Sequence, residues 1–350
     1  MSRPSLVAEA TGLLPYAAAG RTYDESMEER MSDDAPLDAE LPLAGLTVLD
    51  VSSFIAAPAA ATVLGDFGAD VIKVEPPGSG DPHRNSFQNP NYPRTDVNFV
   101  WQLDGRNKRS VALDLKHADG RACFDRLVSR ADVMIVNFPA PVRERLRLRW
   151  EDVAPVNPRL IYASLTGYGE TGPDRDMPGF DVNAYFGRAG ILDAQRTEDG
   201  PPGFSLPAQG DRCAAMTIVA AILMGLRRRD RTGQGGWVGT SLYANGVWSN
   251  GTLAQAALVG AFIGPRPPRT RPRNPLANIY RTRDDRWVQL TLVREDKGWE
   301  RLCRALDRAD LPADPRFATR DARRANSAAL VGILDAAFAA QDWAHWRRVL

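Results

Sequence analysis

The chain has 350 residues, 44% of them hydrophobic and 25% charged, with a formal net charge of +1. That length suits two domains and a large core, and the near-balance of charge gives no electrostatic case for nucleic acid or an anionic membrane. Three cysteines without CxxC spacing and only three histidines argue against a metal site or a disulfide framework, fit a reducing cytoplasm, and stand beside the lack of any apolar run long enough to predict a membrane span.

Residues 1–40 carry one early Arg and then an acidic, polar stretch, which reads as a mobile tail rather than a signal peptide. Regular patterning begins after Pro42. Apolar, β-rich runs at 46–51, 69–75, 110–115, 133–138 and 160–165 predict buried parallel strands. Helix-like stretches lie between them at 56–67, 117–130 and 141–148. Strands alternating with helices predict an α/β fold with a doubly wound, mostly parallel, Rossmann-like sheet. The Gly- and Pro-rich segment 166–207 is long and irregular, the kind of stretch that is usually functional. A buried-type helix follows at 213–226, a basic turn at 227–236, a strand at 237–241 and a helix at 244–259. The Pro- and Arg-rich run 264–275 has no aromatic platform for single-stranded nucleic acid and reads as a solvated connector. Strand-like runs at 279–280 and 287–292 and helical patterns at 299–306, 322–339 and 343–350 predict a smaller α+β domain. The resulting division is a tail (1–40), a large domain (41–240), a linker (241–277) and a small domain (278–350).

The turn after the first strand, Ser53-Phe54-Ile55-Ala56-Ala57-Pro58, contains no glycine, so backbone cannot approach a dinucleotide pyrophosphate there. A phosphate loop and a G-x-S-x-G elbow are also missing. The remaining chemical signal is Asp211, in Gln209-Gly210-Asp211-Arg212 ahead of an apolar helix. An Asp at such a junction serves either as an N-cap or as a carboxylate held ionised near backbone N–H groups, ready to act as a nucleophile.

Several ordered motifs resemble the class III coenzyme A transferases, a family that also includes α-methylacyl-CoA racemases. They are PLAGLTVLD from Pro42 to Asp50, Ala57-Pro58, GDFGADVIKVE from Gly65 to Glu75, NKRSVALDLK from Asn107 to Lys116, and ADVMIVNF from Ala131 to Phe138 with Arg145. NPRLIYASLTGYG from Asn157 to Gly169, Gly172-Pro173, Gly210-Asp211 and RTGQG from Arg231 to Gly235 complete the series. The resemblance covers roughly residues 41–350. It implies a CoA pocket with Phe54, Ile55 and Ala56 at the adenine end and Leu113, Lys116, Asn137, Phe138 and Arg145 at CoA-contact positions. Lys108 and Arg109 are added as phosphate partners. Pro76 stands where some members carry Arg, leaving Arg84 as a substitute. No prosthetic group is implied; the CoA thioester is itself the substrate.

By the same resemblance Asp211 is the catalytic carboxylate, forming an aspartyl anhydride and then an aspartyl-CoA thioester as CoA passes from an acyl-CoA to a small carboxylic acid. Racemases of the family carry His before the acidic residue at Asp181, for a two-base proton shuttle; here that residue is Phe180. Phe180 cannot move a proton, so a transferase is expected, with Asp181 orienting substrate. The alternatives are a racemase-like isomerase and a catalytically inactive CoA-binding subunit. The family forms interlocked homodimers, and its members continue past the position of Leu350, which implies a missing C-terminal return to the large domain.

Overall fold

The structure, a computed structural model, describes residues 41–90 and 92–350; the expected tail, 1–40, lies outside the described residues. The described chain falls into two compact units, residues 41–195 with 202–263, and residues 264–350 with the short segment 196–201.

The first unit is built on six strands: β1 (Thr47–Val51), β2 (Asp70–Glu75), β3 (Lys108–Ala112), β4 (Val133–Val136), β5 (Ile161–Thr166) and β6 (Gly236–Ser241). Their order is β3-β2-β1-β4-β5-β6, and every neighbouring pair is parallel. The expected doubly wound α/β sheet is therefore present. In this order the winding reverses between β1 and β4, and a crevice opens beyond the carboxyl ends of those strands. The helices of this unit are α1 (Ala56–Asp66), α2 (Phe99–Gly105), α3 (Ala118–Val128), α4 (Ala140–Arg145), α5 (Trp150–Val153), α6 (Ile191–Ala194), α7 (Gln209–Thr232), α8 (Leu242–Ser249) and α9 (Gly251–Leu258).

The strands read as continuous apolar runs because both sheet faces are covered. Successive residues point to opposite faces and so serve two cores. Val48, Val71, Val133, Ile135, Ile161 and Ala163 pack with the alanines of α1 and with Ala214, Ile218 and Ile222 of α7. Leu49, Val51, Met134, Val136 and Tyr162 pack on the other side with Phe124 and Val128 of α3.

Several elements differ from the sequence expectation. β3 begins at Lys108, two residues early, because its register pairs Lys108 with Val71; after Leu113 the chain turns, with His117 N donating to Asp114 O. α7 runs 24 residues and absorbs most of the expected basic turn, ending at Gly233 with φ +73°, the left-handed C-cap that glycine adopts without strain. The single helix expected over 244–259 is two, broken where the Asn250 side chain donates to Ala189 O. The irregular stretch 166–207 holds a π-helical turn, Asp181–Gly187.

The second unit pairs β7 (Ala277–Arg281) with β8 (Trp287–Thr291) in antiparallel register beside α10 (Glu295–Ala305), α11 (Arg320–Ala325), α12 (Ser327–Ala339) and α13 (Trp343–Val349). Tyr280, Leu302, Leu334, Phe338 and Trp346 belong to its core. The Pro- and Arg-rich run is tied down rather than free. Arg269 forks onto Asp335 at 2.8 and 2.9 Å, and Ser327 Oγ donates to Pro272 O at 2.6 Å. Among the described residues no helix is long and apolar enough to cross a membrane.

Candidate active site

Asp211 lies in the first turn of α7 rather than ahead of it. The helix starts at Gln209 because Ala208 adopts φ +58° and turns the chain inward. Asp211 therefore sits beside the unpaired N–H groups of a long helix. Gly210 lets the π-helical turn close over this point. A Cβ there would collide with the Tyr185 ring and with Asp181 Oδ1, so glycine is required for close approach. Tyr185 is fixed in turn by its hydroxyl bond to Ser249 Oγ at 2.8 Å.

The consequence is a pair of carboxylates, Asp181 and Asp211, far apart in sequence and adjacent in space. Burial pushes the Asp181 carboxyl up to about 6, against the lowering effect of the nearby amides of Gly210, Asp211 and Ala208. Its Oδ1 is sealed from solvent without a well-formed hydrogen bond. Burial first, and then repulsion from Asp181, push Asp211 up to about 7; Asp104 adds to the rise, while Arg212 and His83 oppose it. Two like charges in one desolvated patch cannot both ionise easily, so the pair titrates near neutrality as a unit.

The crevice between β1 and β4 adjoins this pair. Ser53 N donates to Asn137 Oδ1 at 2.9 Å and Asn137 Nδ2 donates to Ser53 O at 2.7 Å, joining the ends of the two strands. Phe54 follows with φ +62°, an unusual conformation for an aromatic residue. It is held by Phe54 N donating to Asp81 Oδ1 at 3.1 Å. Its ring meets Phe180 edge-on at 5.9 Å, and both rings are exposed. An apolar wall thus stands next to Asp181.

Of the other expected CoA residues, Ile55 caps α1 and Ala56 opens it, buried. Leu113 and Phe138 pack against the same core cluster at the ends of β3 and β4. Lys116 and Arg145 are exposed. Lys108 departs from expectation. Its side chain is 2% exposed, and its ammonium donates to Asp50 at 2.9 Å, Pro58 O at 2.7 Å and Asp104 O at 2.8 Å. The register of β3 turns it onto Asp50, and its donors are used there. Arg109 is on the surface, forked onto Asp70. Arg84 does not replace the missing cation freely: it forks onto Glu75 at 2.7 and 2.5 Å and stacks on Trp101 at 4.0 Å.

Four residues not singled out by sequence surround Asp211. Arg212 forks onto Asp104, NH1 to Oδ1 at 2.7 Å and NH2 to Oδ2 at 3.2 Å. His83 Nε2 lies 3.2 Å from the same carboxylate, and His83 Nδ1 lies 3.1 Å from Ser86 Oγ. Burial would raise the Asp104 carboxyl, but His83 and Arg212 hold it below the usual range. It is therefore ionised and only accepts, so His83 carries its proton on Nε2. The Tyr92 phenol is pushed up by burial and by the charges of Asp211 and Asp104, which places it in the same field. Arg212 could have been suspected from its place beside Asp211; nothing local marks His83, Asp104 or Tyr92.

Residues 43–350 match the family model for CoA-transferase family III. The chain is 32% identical over 311 residues to the (R)-2-hydroxy-4-methylpentanoate CoA-transferase of Clostridioides difficile, covering 88% of this chain and 77% of that one. It is 34% identical over 330 residues to the acetyl-CoA:oxalate CoA-transferase of Acetobacter aceti, covering 91% and 81%. The crystal structure of a CAIB/BAIF family protein from Brucella suis superposes with a TM-score of 0.78 at 30% identity, covering 88% of this chain and 81% of that one.

Proposed function

The chain belongs to CoA-transferase family III, and from that premise we propose that Asp211 is the nucleophile that carries coenzyme A from an acyl-CoA donor to a carboxylic acid acceptor. The observation that carries this reading is the placement of Asp211 in the first turn of α7, paired with Asp181 at the foot of the Phe54–Phe180 wall.

A carboxylate oxygen of Asp211 attacks the donor thioester carbonyl; the C–S bond breaks, CoA leaves as thiolate, and a mixed anhydride remains. The thiolate attacks the Asp211 carbonyl carbon, the donor acid leaves as its carboxylate, and an aspartyl-CoA thioester forms. An acceptor carboxylate then displaces the thiolate to give a second anhydride, and the thiolate attacks the acceptor carbonyl, releasing Asp211. Oxyanions formed at Asp211 develop beside the N-terminal amides of α7, which favour negative charge. The apolar rings limit water, which would otherwise hydrolyse the anhydride. Asp181, in this reading, orients Asp211, and its charge keeps the proton of the pair on Asp211 until pH rises through about 7. Phe54, Ile55, Ala56, Leu113, Asn137 and Phe138 form the CoA cleft, with Lys116 and Arg145 toward the phosphates. We assign the enzyme to the cytoplasm as a homodimer.

One observation favours a second reading. Two carboxylates that titrate near neutrality could exchange an α-proton without the missing His, as an isomerase would.

The deciding experiment is trapping. With acyl-CoA and hydroxylamine, Asp211 should be converted to its hydroxamate and activity lost, and Asp211→Ala should abolish transfer while still binding CoA. Labelled CoA should pass between two acids with ping-pong kinetics. Solvent deuterium entering C2 of a 2-methylacyl-CoA, with no CoA transfer, would establish the isomerase instead.

A further inference from the structure

Resting on that reading of Asp211, we infer that Arg212 makes the enzyme select acids that bear a second carboxylate, its guanidinium holding the distal anion while the reacting carboxylate meets Asp211. A guanidinium has more N–H donors than one carboxylate fork occupies. Among the described residues the partner of Arg212 is Asp104, engaged through one N–H on each terminal nitrogen. The side chain is still 41% exposed while Asp104 is 3% exposed. The fork is thus anchored on a buried carboxylate while much of the arginine side chain stays exposed. Asp104 cannot swing away, because His83 holds its second oxygen and is itself 1% exposed. Asp104 and His83 are positioning residues for this fork.

Electrostatics supplies the reason. Asp104, Asp181 and Asp211 make the patch anionic, and Tyr92 lies in their field. An incoming dianion would be repelled more strongly than a monoanion unless a cation received it. Once Asp211 is thioesterified to CoA its charge is gone and the repulsion of an incoming anion falls, while the half-exposed Arg212, next to it in the chain, is still on offer. The acid would therefore be chosen at the stage when the aspartyl-CoA thioester is present. A bidentate guanidinium recognises a carboxylate by geometry as well as charge, and a site built for such a contact rejects the analogue that lacks it.

The test measures two identity exchanges with the full chain: labelled succinate into succinyl-CoA, and labelled butyrate into butyryl-CoA. The wild-type enzyme should favour the succinate exchange in kcat/KM by about tenfold or more, the scale of one charge-assisted hydrogen bond. Arg212→Gln should lower the succinate-to-butyrate ratio by about tenfold, mainly through KM for succinate, and Arg212→Lys should recover part of the loss. Equal losses on both acids would mean that Arg212 only props Asp104, and would overturn the inference. So would a wild-type enzyme with no preference, a result that stands even if Arg212→Gln does not fold. Failure of both exchanges without any Asp211 hydroxamate would overturn the transferase reading, and this one with it. A hydroxamate with butyrate exchange intact and no succinate preference would remove this inference alone.

Discussion

As the proposed nucleophile Asp211 would attack as a carboxylate, and its surroundings disfavour that form. Burial and the neighbouring Asp181 push it up to about 7, and Asp181 itself reaches about 6. The rate of thioester cleavage should therefore rise with pH through an apparent value of about 7 and level off above it. Asp181→Asn removes the like charge, so the acid limb of the kcat/KM profile should move to lower pH; an unmoved limb would mean that the two groups do not interact. The stability effect has its own sign. The unfolded carboxyl titrates at about 3.9, so between there and about 7 the folded state binds more protons at Asp211 than the unfolded state. The contribution of this group to stability is full below the unfolded value and is lost as pH rises through the folded one. Asp211→Asn should consequently raise Tm relative to wild type at pH 8 and do so less at pH 4. Thermal melts at the two pH values check this, and an identical difference at both would contradict a raised native pKa. A catalytic group that weakens the fold in the pH range where it works is expected when a carboxylate is kept reactive by desolvation.

Behind the Phe54 turn, the ends of β1 and β2 are joined by buried charges. Lys73 pairs with Asp81 at 2.8 Å and with Asp50 at 3.4 Å, each side chain being at most 1% exposed, and it donates to Ser52 O at 3.0 Å. Lys108 joins through Asp50. Burial favours the neutral form of Asp50, but Lys73 and Lys108 hold its carboxyl below the ordinary range. This cluster fixes the loop: Asp81 accepts from Phe54 N and from His83 N. Lys73→Met would strand the buried Asp81 carboxylate and leave Asp50 with Lys108 alone, and losing one partner of a buried pair costs about 3–5 kcal/mol. The urea midpoint of unfolding should fall accordingly. A loss below about 1 kcal/mol, the value of an exposed pair, would mean that water reaches the cluster. α7 adds the second fixed element. Its length and its left-handed entry at Ala208 set Asp211 and Arg212 together in one helical turn, each facing a different partner.

On the proposed reading, the sheet as a whole decides where coenzyme A would bind. Because the winding reverses between β1 and β4, the loops after those strands diverge, and the Ser53–Asn137 bonds cross the gap. Residues at the ends of β1, β3 and β4 are thereby gathered on one edge, with exposed Lys116 and Arg145 beyond them. Replacing either cation with Ala should weaken CoA binding by about 1–3 kcal/mol, the scale of a charge-assisted hydrogen bond, and leave a phosphate-free pantetheine thioester unaffected. Titration calorimetry with both ligands checks this; equal losses for the two would assign Lys116 and Arg145 to the fold.

The features legible in the linear chain are local or repetitive. Apolar runs alternating with helix-like stretches specified the doubly wound sheet, since strands covered on both faces and their crossover helices leave a pattern at short range. Asp211 was visible because a Gly-Asp step before a long apolar helix is a local signal, and the ordered motifs around it pointed to the family. Boundaries were less legible: the start of β3 and the break at Asn250 depend on register and on a side-chain bond to Ala189, which no window of sequence contains. The tertiary structure alone decided the charges. Lys108, expected as a phosphate partner, is bonded to Asp50; His83 and Asp104 carry no motif and stand beside Arg212; and Asp181 is the neighbour of Asp211 through the space left by Gly210. The physical reason is that a pKa, an ion pair or a desolvated carboxylate is a property of the groups around it, and in this chain those groups come from segments tens of residues away.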